Sequence, residues 1–107
     1  MRVLLDECVP KRLGRSLVGH TVRTVPQEGW SGKKNGELLA VMSAAGFEVF
    51  LTVDQGVRHQ QNLRGTGVAV VVLVAASNDI VDLLPLVPGV LSVLSVVQPE
   101  QSIEVRP

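Results

Sequence analysis

Residues 68–74 read Val68-Ala69-Val70-Val71-Val72-Leu73-Val74 and belong to the longest apolar run in the chain. A strand that is covered on both faces is apolar at every position, whereas a half-exposed strand alternates apolar and polar residues. Valine dominates the run, and β-branched side chains favour strands. The segment therefore predicts a central strand of a parallel sheet with helices on both faces.

Outward from this strand, short apolar runs alternate with segments of helical spacing. The predicted strands are residues 3–5, 20–25, 48–52 and 103–105, the last at an edge, and the predicted helices are residues 11–18, 36–45, a segment from 79, and 88–97. Gly46 is a natural left-handed end for the helix before it. The alternation predicts an α/β fold: one three-layer α/β/α domain over residues 1–107, with a mainly parallel sheet of four to five strands.

Composition excludes several classes of protein. The chain is 46% apolar and 19% charged, which excludes intrinsic disorder. Cys8 is the single cysteine, so no intramolecular disulfide can form and a reducing compartment is expected. Asp6 comes too early for a signal peptide, and residues 68–76 are too short to span a bilayer. We therefore expect a cytoplasmic protein without membrane contact.

Charge is neutral overall but unevenly distributed. Nine of the ten Lys and Arg residues lie in residues 1–64 with six acids, which leaves this part at about +3. The excess forms either one basic face or an ordinary solvated surface.

Three carboxylates are predicted at one edge of the sheet. Asp6 closes the first strand, Asp54 follows the third, and Glu37 lies in the first turn of the second helix. Sites in parallel sheets form beyond the carboxyl ends of the strands, where the following helices also begin. Converging carboxylates favour a cation, and hard oxygen ligands suit Mg²⁺ or Mn²⁺, which can activate water for phosphodiester hydrolysis.

Each of these acids also has a purely structural alternative. Asp6 can cap the helix that begins near Pro10, Glu37 can complement its helix dipole, and Asp54 can serve as a turn residue. Only their joint placement favours a site.

Six short motifs, taken in order, resemble the small bacterial PIN-like family over about three-quarters of the chain. They are Leu4-Leu5-Asp6-Glu7-Cys8-Val9-Pro10, Gly19-His20, Gly29-Trp30-Ser31-Gly32, Asn35-Gly36-Glu37-Leu38-Leu39, Phe50-Leu51-Thr52-Val53-Asp54 and Gln60-Gln61-Asn62-Leu63. Proteins of this family are described as predicted nucleases and possible toxins of toxin–antitoxin pairs. The resemblance implies a parallel sheet flanked by helices, with acids that hold Mg²⁺ or Mn²⁺ for RNA cleavage.

The resemblance assigns roles to individual residues. Asp6 matches the acid of the first strand, Glu37 the acid of the second helix and Asp54 the acid of the T-x-D motif. Position 35 is Asn35, where related domains can carry Asp. The fourth acid that full PIN nucleases carry after the fourth strand is not obvious here, and Asn78 and Asp79 are the only candidates for it.

Further residues are secondary candidates. Glu7 either faces the same edge as Asp6 or turns away. The expected RNA contacts are Lys33, Lys34, Arg58, Gln60, Gln61 and Asn62, with His59 in the same segment. Cys8 is expected as a small buried hydrophobe, His20 as a loop or capping residue, and Trp30 as a packing residue rather than a base-stacking one.

Two functions remain open. The first is a metal-dependent endoribonuclease, a possible toxin with an antitoxin partner. The second is a PIN-like module without catalysis that binds RNA or a protein, which Asn35 and the missing fourth acid favour. A receiver-like domain is set aside because no lysine ends the fourth strand. The apolar residues 87–97 suggest a face for a homodimer or an antitoxin.

Overall fold

One parallel sheet organises the computed structural model, which describes residues 1–56 and 62–107. Its strands are β1 (Arg2–Leu5), β2 (Thr21–Thr24), β3 (Val49–Thr52), β4 (Ala69–Leu73) and β5 (Ser102–Val105). The strand order is β2-β1-β3-β4-β5, and all neighbouring strands are parallel. The predicted fold class is confirmed, as is the edge position of the last strand.

The helices cover the two faces of the sheet. Those that lie wholly within the described residues are the 3₁₀ helix η1 (Lys11–Ser16), α1 (Asn35–Ala44), α2 (Ile80–Leu83), the 3₁₀ helix η2 (Leu84–Leu86) and α3 (Val87–Leu94). The helix predicted over residues 11–18 is present but two residues shorter, and it is a 3₁₀ helix held by i→i+3 bonds such as Leu17 N–H to Gly14 O, 3.1 Å. Gly14 is a poor α-helix former in so short a segment.

The proline-containing segment after β4 stays largely helical. η2 joins α2 to α3, and Pro88 lies in the first turn of α3, where its missing N–H removes no helical hydrogen bond. The last helix ends at Leu94 rather than at residue 97, five residues before Pro99. Beyond this end the Val97 N–H still donates to the Val93 carbonyl at 2.8 Å, so helix-type hydrogen bonding reaches the predicted last residue.

Two apolar clusters lie on opposite faces of the sheet. Val3 and Leu5 belong to the cluster under η1, α2 and α3, whereas Leu4 belongs to the cluster under α1. All five residues of β4 are buried. This alternation is the three-layer arrangement that the apolar run at residues 68–74 predicts. Within the described residues, no helix is long and apolar enough to cross a bilayer.

Candidate active site

The carboxyl ends of β1 and β3 meet at the centre of the sheet. The two strands pair in register, with Leu5 opposite Leu51, and the pairing continues beyond β1 because the Asp6 N–H donates to the Leu51 carbonyl at 3.0 Å. From β1 the chain passes to β2 on one side and later to β3 on the other. In open parallel sheets, such a reversal of strand order leaves a crevice that binds ligands.

Thr52 connects the two candidate aspartates at this reversal. Its side chain is fully buried, and its hydroxyl donates to Asp6 Oδ2 at 2.6 Å. The Thr52 hydroxyl oxygen also accepts the Asp54 N–H at 3.0 Å. Thr52 therefore connects the Asp6 carboxylate to the backbone N–H of Asp54.

Asp54 has the turn role considered above, whereas Asp6 accepts a neighbouring backbone N–H and makes no side-chain cap for η1. Asp6 Oδ1 accepts the Glu7 N–H at 2.8 Å, and Asp54 Oδ1 accepts the Gly56 N–H at 2.8 Å, an arrangement typical of an Asx turn. Asp6 is half-buried and Asp54 is exposed. A carboxylate oxygen has two lone pairs, so these bonds leave acceptor capacity for a ligand.

Cys8 lies beside the same group. Its thiol is 3.5 Å from Asp6 Oδ2 and 3.8 Å from Thr52 Oγ1. Burial is the main cause that raises the pKa of the Cys8 thiol, and the nearby Asp6 charge raises it further, although hydrogen bonds from the Val53 backbone and Thr52 oppose the change. A raised pKa disfavours the thiolate, which agrees with Cys8 as a packing residue rather than a nucleophile.

Glu7 ties the loop after β2 to this edge of the sheet. Its Oε1 accepts the Gly32 N–H at 3.2 Å, so its side chain turns toward that loop. The same loop carries Lys33, which is half-buried, and Lys34, which is exposed and precedes α1. Both lysines therefore lie in the loop that Glu7 ties to the carboxyl ends of the strands.

Glu37 lies in the first turn of α1, and Asn35 is the first residue of that helix. Glu37 is exposed. Among the described residues, no group of three or more His, Cys, Asp or Glu side chains is arranged to hold a metal ion. The structure thus joins Asp6 to Asp54 through Thr52 but does not gather Glu37 into the same cluster.

The loop after β4 reaches the site through Asn78. The Asn78 side-chain amide donates to the Cys8 carbonyl at 3.0 Å. Asp79, the candidate for a fourth acid, is exposed and precedes α2, and its N–H donates to Ser77 Oγ at 3.0 Å. Ser77 also donates to Asp82 Oδ2 at 2.6 Å. Asp79 therefore belongs to the start of a helix rather than to the Asp6–Thr52 contact.

The expected RNA-contact segment lies only partly within the described residues. Arg58, His59, Gln60 and Gln61 lie outside them. Asn62 is exposed and lines a pocket that includes Glu100, whose Oε2 accepts the Gly65 N–H at 3.0 Å. Since Glu100 comes shortly before β5, this pocket lies toward the amino ends of the strands. The structure does not place Asn62 with Asp6.

Trp30 packs as expected. It is half-buried, and its ring meets Phe47 edge-on, with centroids 5.9 Å apart and an interplanar angle of 77°. The Arg2 guanidinium lies 4.6 Å from the centroid of Phe47, on the ring that Trp30 contacts. Trp30 thus supports the loop after β2.

A pocket of about 360 Å³ opens beside the two acids at the end of β1. Its lining also includes residues of η1 and of the end of β2. The full set is Asp6, Glu7, Val9, Pro10, Lys11, Thr24, Pro26 and Gln27. This volume falls within the ~300–1,000 Å³ range of ligand sites.

The sequence predictions gave no site role to Lys11, named Thr52 only as part of the T-x-D motif, and named Asn78 only as a candidate for the fourth position, without its contact to Cys8. Thr52 has a recognisable signal, since it is a hydroxyl residue that ends an otherwise apolar buried strand two positions before Asp54. Asn78 and Lys11 have none, because their contacts depend on how the loops fold. No protein-family model, curated protein or solved structure matches the chain.

Proposed function

We propose that this protein is a Mg²⁺- or Mn²⁺-dependent ribonuclease that acts at the carboxyl ends of β1 and β3. The observation that carries the proposal is the Asp6–Thr52–Asp54 connection at the reversal of strand order. Acidic side chains held at such a crevice are suited to a hard cation and a phosphodiester. The resemblance to PIN-like nucleases at Asp6 and Asp54 supports the same reading.

Asp6 and Asp54 are the residues that would hold the metal. Both present oxygen ligands with free lone pairs, and Mg²⁺ is commonly bound by one or two carboxylates, substrate phosphates and water. The donor set therefore fits such an ion without a third acid. When bound, the ion polarises the phosphodiester and lowers the pKa of the attacking water.

The other residues of the site position the Asp6 carboxylate and contribute charge around it. The Thr52 hydroxyl fixes the direction of the Asp6 carboxylate, and Asn78 holds the Cys8 backbone next to it. Glu37 and Asp79 approach the same edge at the starts of α1 and α2, and we propose for them only a supporting electrostatic role. Lys33 and Lys34 attract the RNA backbone.

A toxin role would add an antitoxin partner or a second copy of the chain. Residues 87–97 were expected to offer an apolar surface, but Val87, Val90, Leu94 and Val97 are buried. Val96 is 67% exposed, and Val81 on α2 is 71% exposed. We propose that any such partner contacts these valines.

The second candidate function is a PIN-like module that binds RNA or a protein without cleaving it. It is favoured by the finding that, within residues 1–56 and 62–107, no three acidic, His or Cys side chains form a metal-holding group. Fewer carboxylates bind a divalent ion more weakly. The two candidates differ in one measurable property, which is metal-dependent hydrolysis.

The deciding experiment compares RNA cleavage by the wild type and three matched variants, with Mn²⁺ or with EDTA. Asp6→Asn and Asp54→Asn remove one charge each from the site. Glu48→Gln is the control. Glu48 lies just before β3, at the amino ends of the strands and away from the site, and its Oε1 accepts the Arg2 N–H. The nuclease proposal expects cleavage with Mn²⁺, none with EDTA, and at least a 100-fold loss in both Asp variants only.

Other outcomes decide against the nuclease. A folded wild type that leaves RNA intact but binds it would support the binding module. Cleavage that survives both Asp substitutions would come from a different site or from contamination.

A further inference from the structure

A second pocket, of about 290 Å³, lies beside the one at Asp6 and Glu7. It is formed between η1 and the edge strand β2. Its lining residues are Lys11, Gly14, Arg15, His20, Val22, Thr24 and Gln27. Three of these, Lys11, Thr24 and Gln27, also line the pocket at Asp6. The two pockets are therefore neighbours along one groove.

The lining of this second pocket is basic and contains no acid. Lys11 and Arg15 are exposed. Within the described part of the chain, the ion pairs are Arg23–Glu28 and Arg106–Glu104, so neither Lys11 nor Arg15 forms an ion pair there. Cations without a counter-charge around a concave surface attract anions, and the concave shape concentrates their field.

His20 lies on the same wall of the pocket. Its Nδ1 is 3.1 Å from the Met1 nitrogen, and the donor in this contact depends on the tautomer of the ring.

Gly14 keeps the pocket open. In a 3₁₀ helix, residues i and i+3 lie one above the other, so a side chain at residue 14 would lie beneath Lys11. A Cβ at Gly14 would also come within 2.9 Å of Val22 Cγ1. The missing side chain both allows η1 to approach β2 and leaves room between the two cations.

We infer that the pocket lined by Lys11, Arg15 and His20 binds a backbone phosphate of single-stranded RNA while the neighbouring linkage lies at Asp6 and Asp54. This inference rests on the proposed ribonuclease function and specifies how its substrate is held. With net charge zero and few cations in the groove, only a few phosphates are contacted. Such a footprint suits one strand rather than a duplex.

The test is RNA binding in EDTA, where the proposed metal-dependent cleavage does not proceed. The probe is a fluorescein-labelled single-stranded 12-nucleotide RNA followed by anisotropy over a range of salt concentrations. Lys11→Ala/Arg15→Ala removes the pocket cations, and Arg12→Ala/Arg64→Ala is the control with the same loss of charge. Arg12 is exposed on η1 outside the pocket lining, and Arg64 lines the pocket near Glu100.

The inference expects the pocket variant to bind about tenfold more weakly and its log–log salt slope to be about 1.4 smaller, since each single-strand phosphate contact contributes about 0.7. The control should remain within about twofold of the wild type. Equal weakening in both variants would overturn the inference in favour of general charge attraction. Unchanged binding in the pocket variant would overturn it as well.

Failure of this inference can be told apart from failure of the proposed function. If the wild type cleaves RNA through Asp6 but the pocket variant binds normally, only the phosphate pocket is refuted. If the pocket variant loses RNA binding but the wild type never cleaves, only the nuclease is refuted. A wild type that does not bind RNA refutes the inference.

Discussion

Replacing Thr52 with valine tests the connection on which the candidate site depends. Valine has nearly the same shape as threonine, so Thr52→Val leaves the fully buried position filled while it removes the hydroxyl. Asp6 Oδ2 then loses its 2.6 Å donor, and the Asp54 N–H loses its acceptor. The change therefore isolates hydrogen bonding from packing.

The expected cost follows from these two bonds. A hydrogen bond to a charged group contributes about 1.5–3 kcal/mol, and a neutral one about 0.5–1.5 kcal/mol. Asp6 is half-buried and Asp54 is exposed, so water replaces part of the loss and the lower end applies. We expect the free energy of unfolding to fall by about 2 kcal/mol. At about 2.1 cal/mol/K of unfolding entropy per residue, this lowers Tm by about 9 °C for a chain of 107 residues.

The assay is urea unfolding of four proteins: wild type, Thr52→Val, Asp6→Ala and the double variant. If the hydroxyl acts through Asp6, the two substitutions are not additive, and the cycle gives a coupling energy of about 1–2 kcal/mol. Thr52→Ser is the control that keeps the hydroxyl, and its lost buried methyl costs about 1 kcal/mol. Additivity within about 0.5 kcal/mol, or a cost for Thr52→Val below that of Thr52→Ser, would refute the reasoning.

Three further predictions concern other contacts of the fold. The pKa of the Cys8 thiol is raised above its ordinary value of 9.0 in the folded state. Above about pH 9 the unfolded chain therefore loses the thiol proton first, and the free energy of unfolding falls. Urea unfolding from pH 7.5 to 10.5 should show this fall in the wild type and a smaller one in Cys8→Ser. Glu100→Ala removes the acceptor of the Gly65 N–H, so amide hydrogen exchange at Gly65 should speed up at least tenfold, whereas unchanged exchange would contradict the contact. Gly14→Ala would bring a Cβ to 2.9 Å from Val22 Cγ1, so we expect it to lower the free energy of unfolding by about 1–3 kcal/mol. Combining it with Val22→Ala removes the clash and should recover part of that free energy.

The sheet could be predicted because its signal is local. The unbroken valines of residues 68–74 indicate a strand covered on both faces, and β4 is buried throughout. The alternation of strands and helices then leaves few topologies. The left-handed conformation of Gly46, at φ 85°, was likewise predicted from its position after α1.

The strand order and the type of the first helix could not be predicted from the sequence. No local pattern in the sequence says that β3 pairs with β1 rather than with β2, since that choice depends on the packing of all five strands. The spacing of Leu13 and Leu17 indicates a helix but does not distinguish the 3₁₀ form of η1 from an α-helix.

Part of the candidate site could likewise be predicted from the sequence, and part could not. Asp6 and Asp54 were predicted at the carboxyl ends of β1 and β3, and both lie there. The connection between them needed the structure, because only pairing in register brings Thr52 to Asp6 across 46 positions of sequence. Glu37 was expected to converge with Asp6 and Asp54. Its place in the first turn of α1 predicts that it lies toward the carboxyl ends of the strands, but it does not predict how far it lies from the two aspartates.

The central claim is that Asp6 and Asp54 hold a divalent metal at the crevice between β1 and β3, and Mn²⁺ titration of the ¹⁵N-labelled protein tests it most directly. Paramagnetic Mn²⁺ broadens the amide signals of nearby residues. The account predicts that broadening at substoichiometric Mn²⁺ centres on Asp6, Glu7 and Asp54, and that Asp54→Asn abolishes it. Broadening centred elsewhere, or unchanged by Asp54→Asn, would contradict the account.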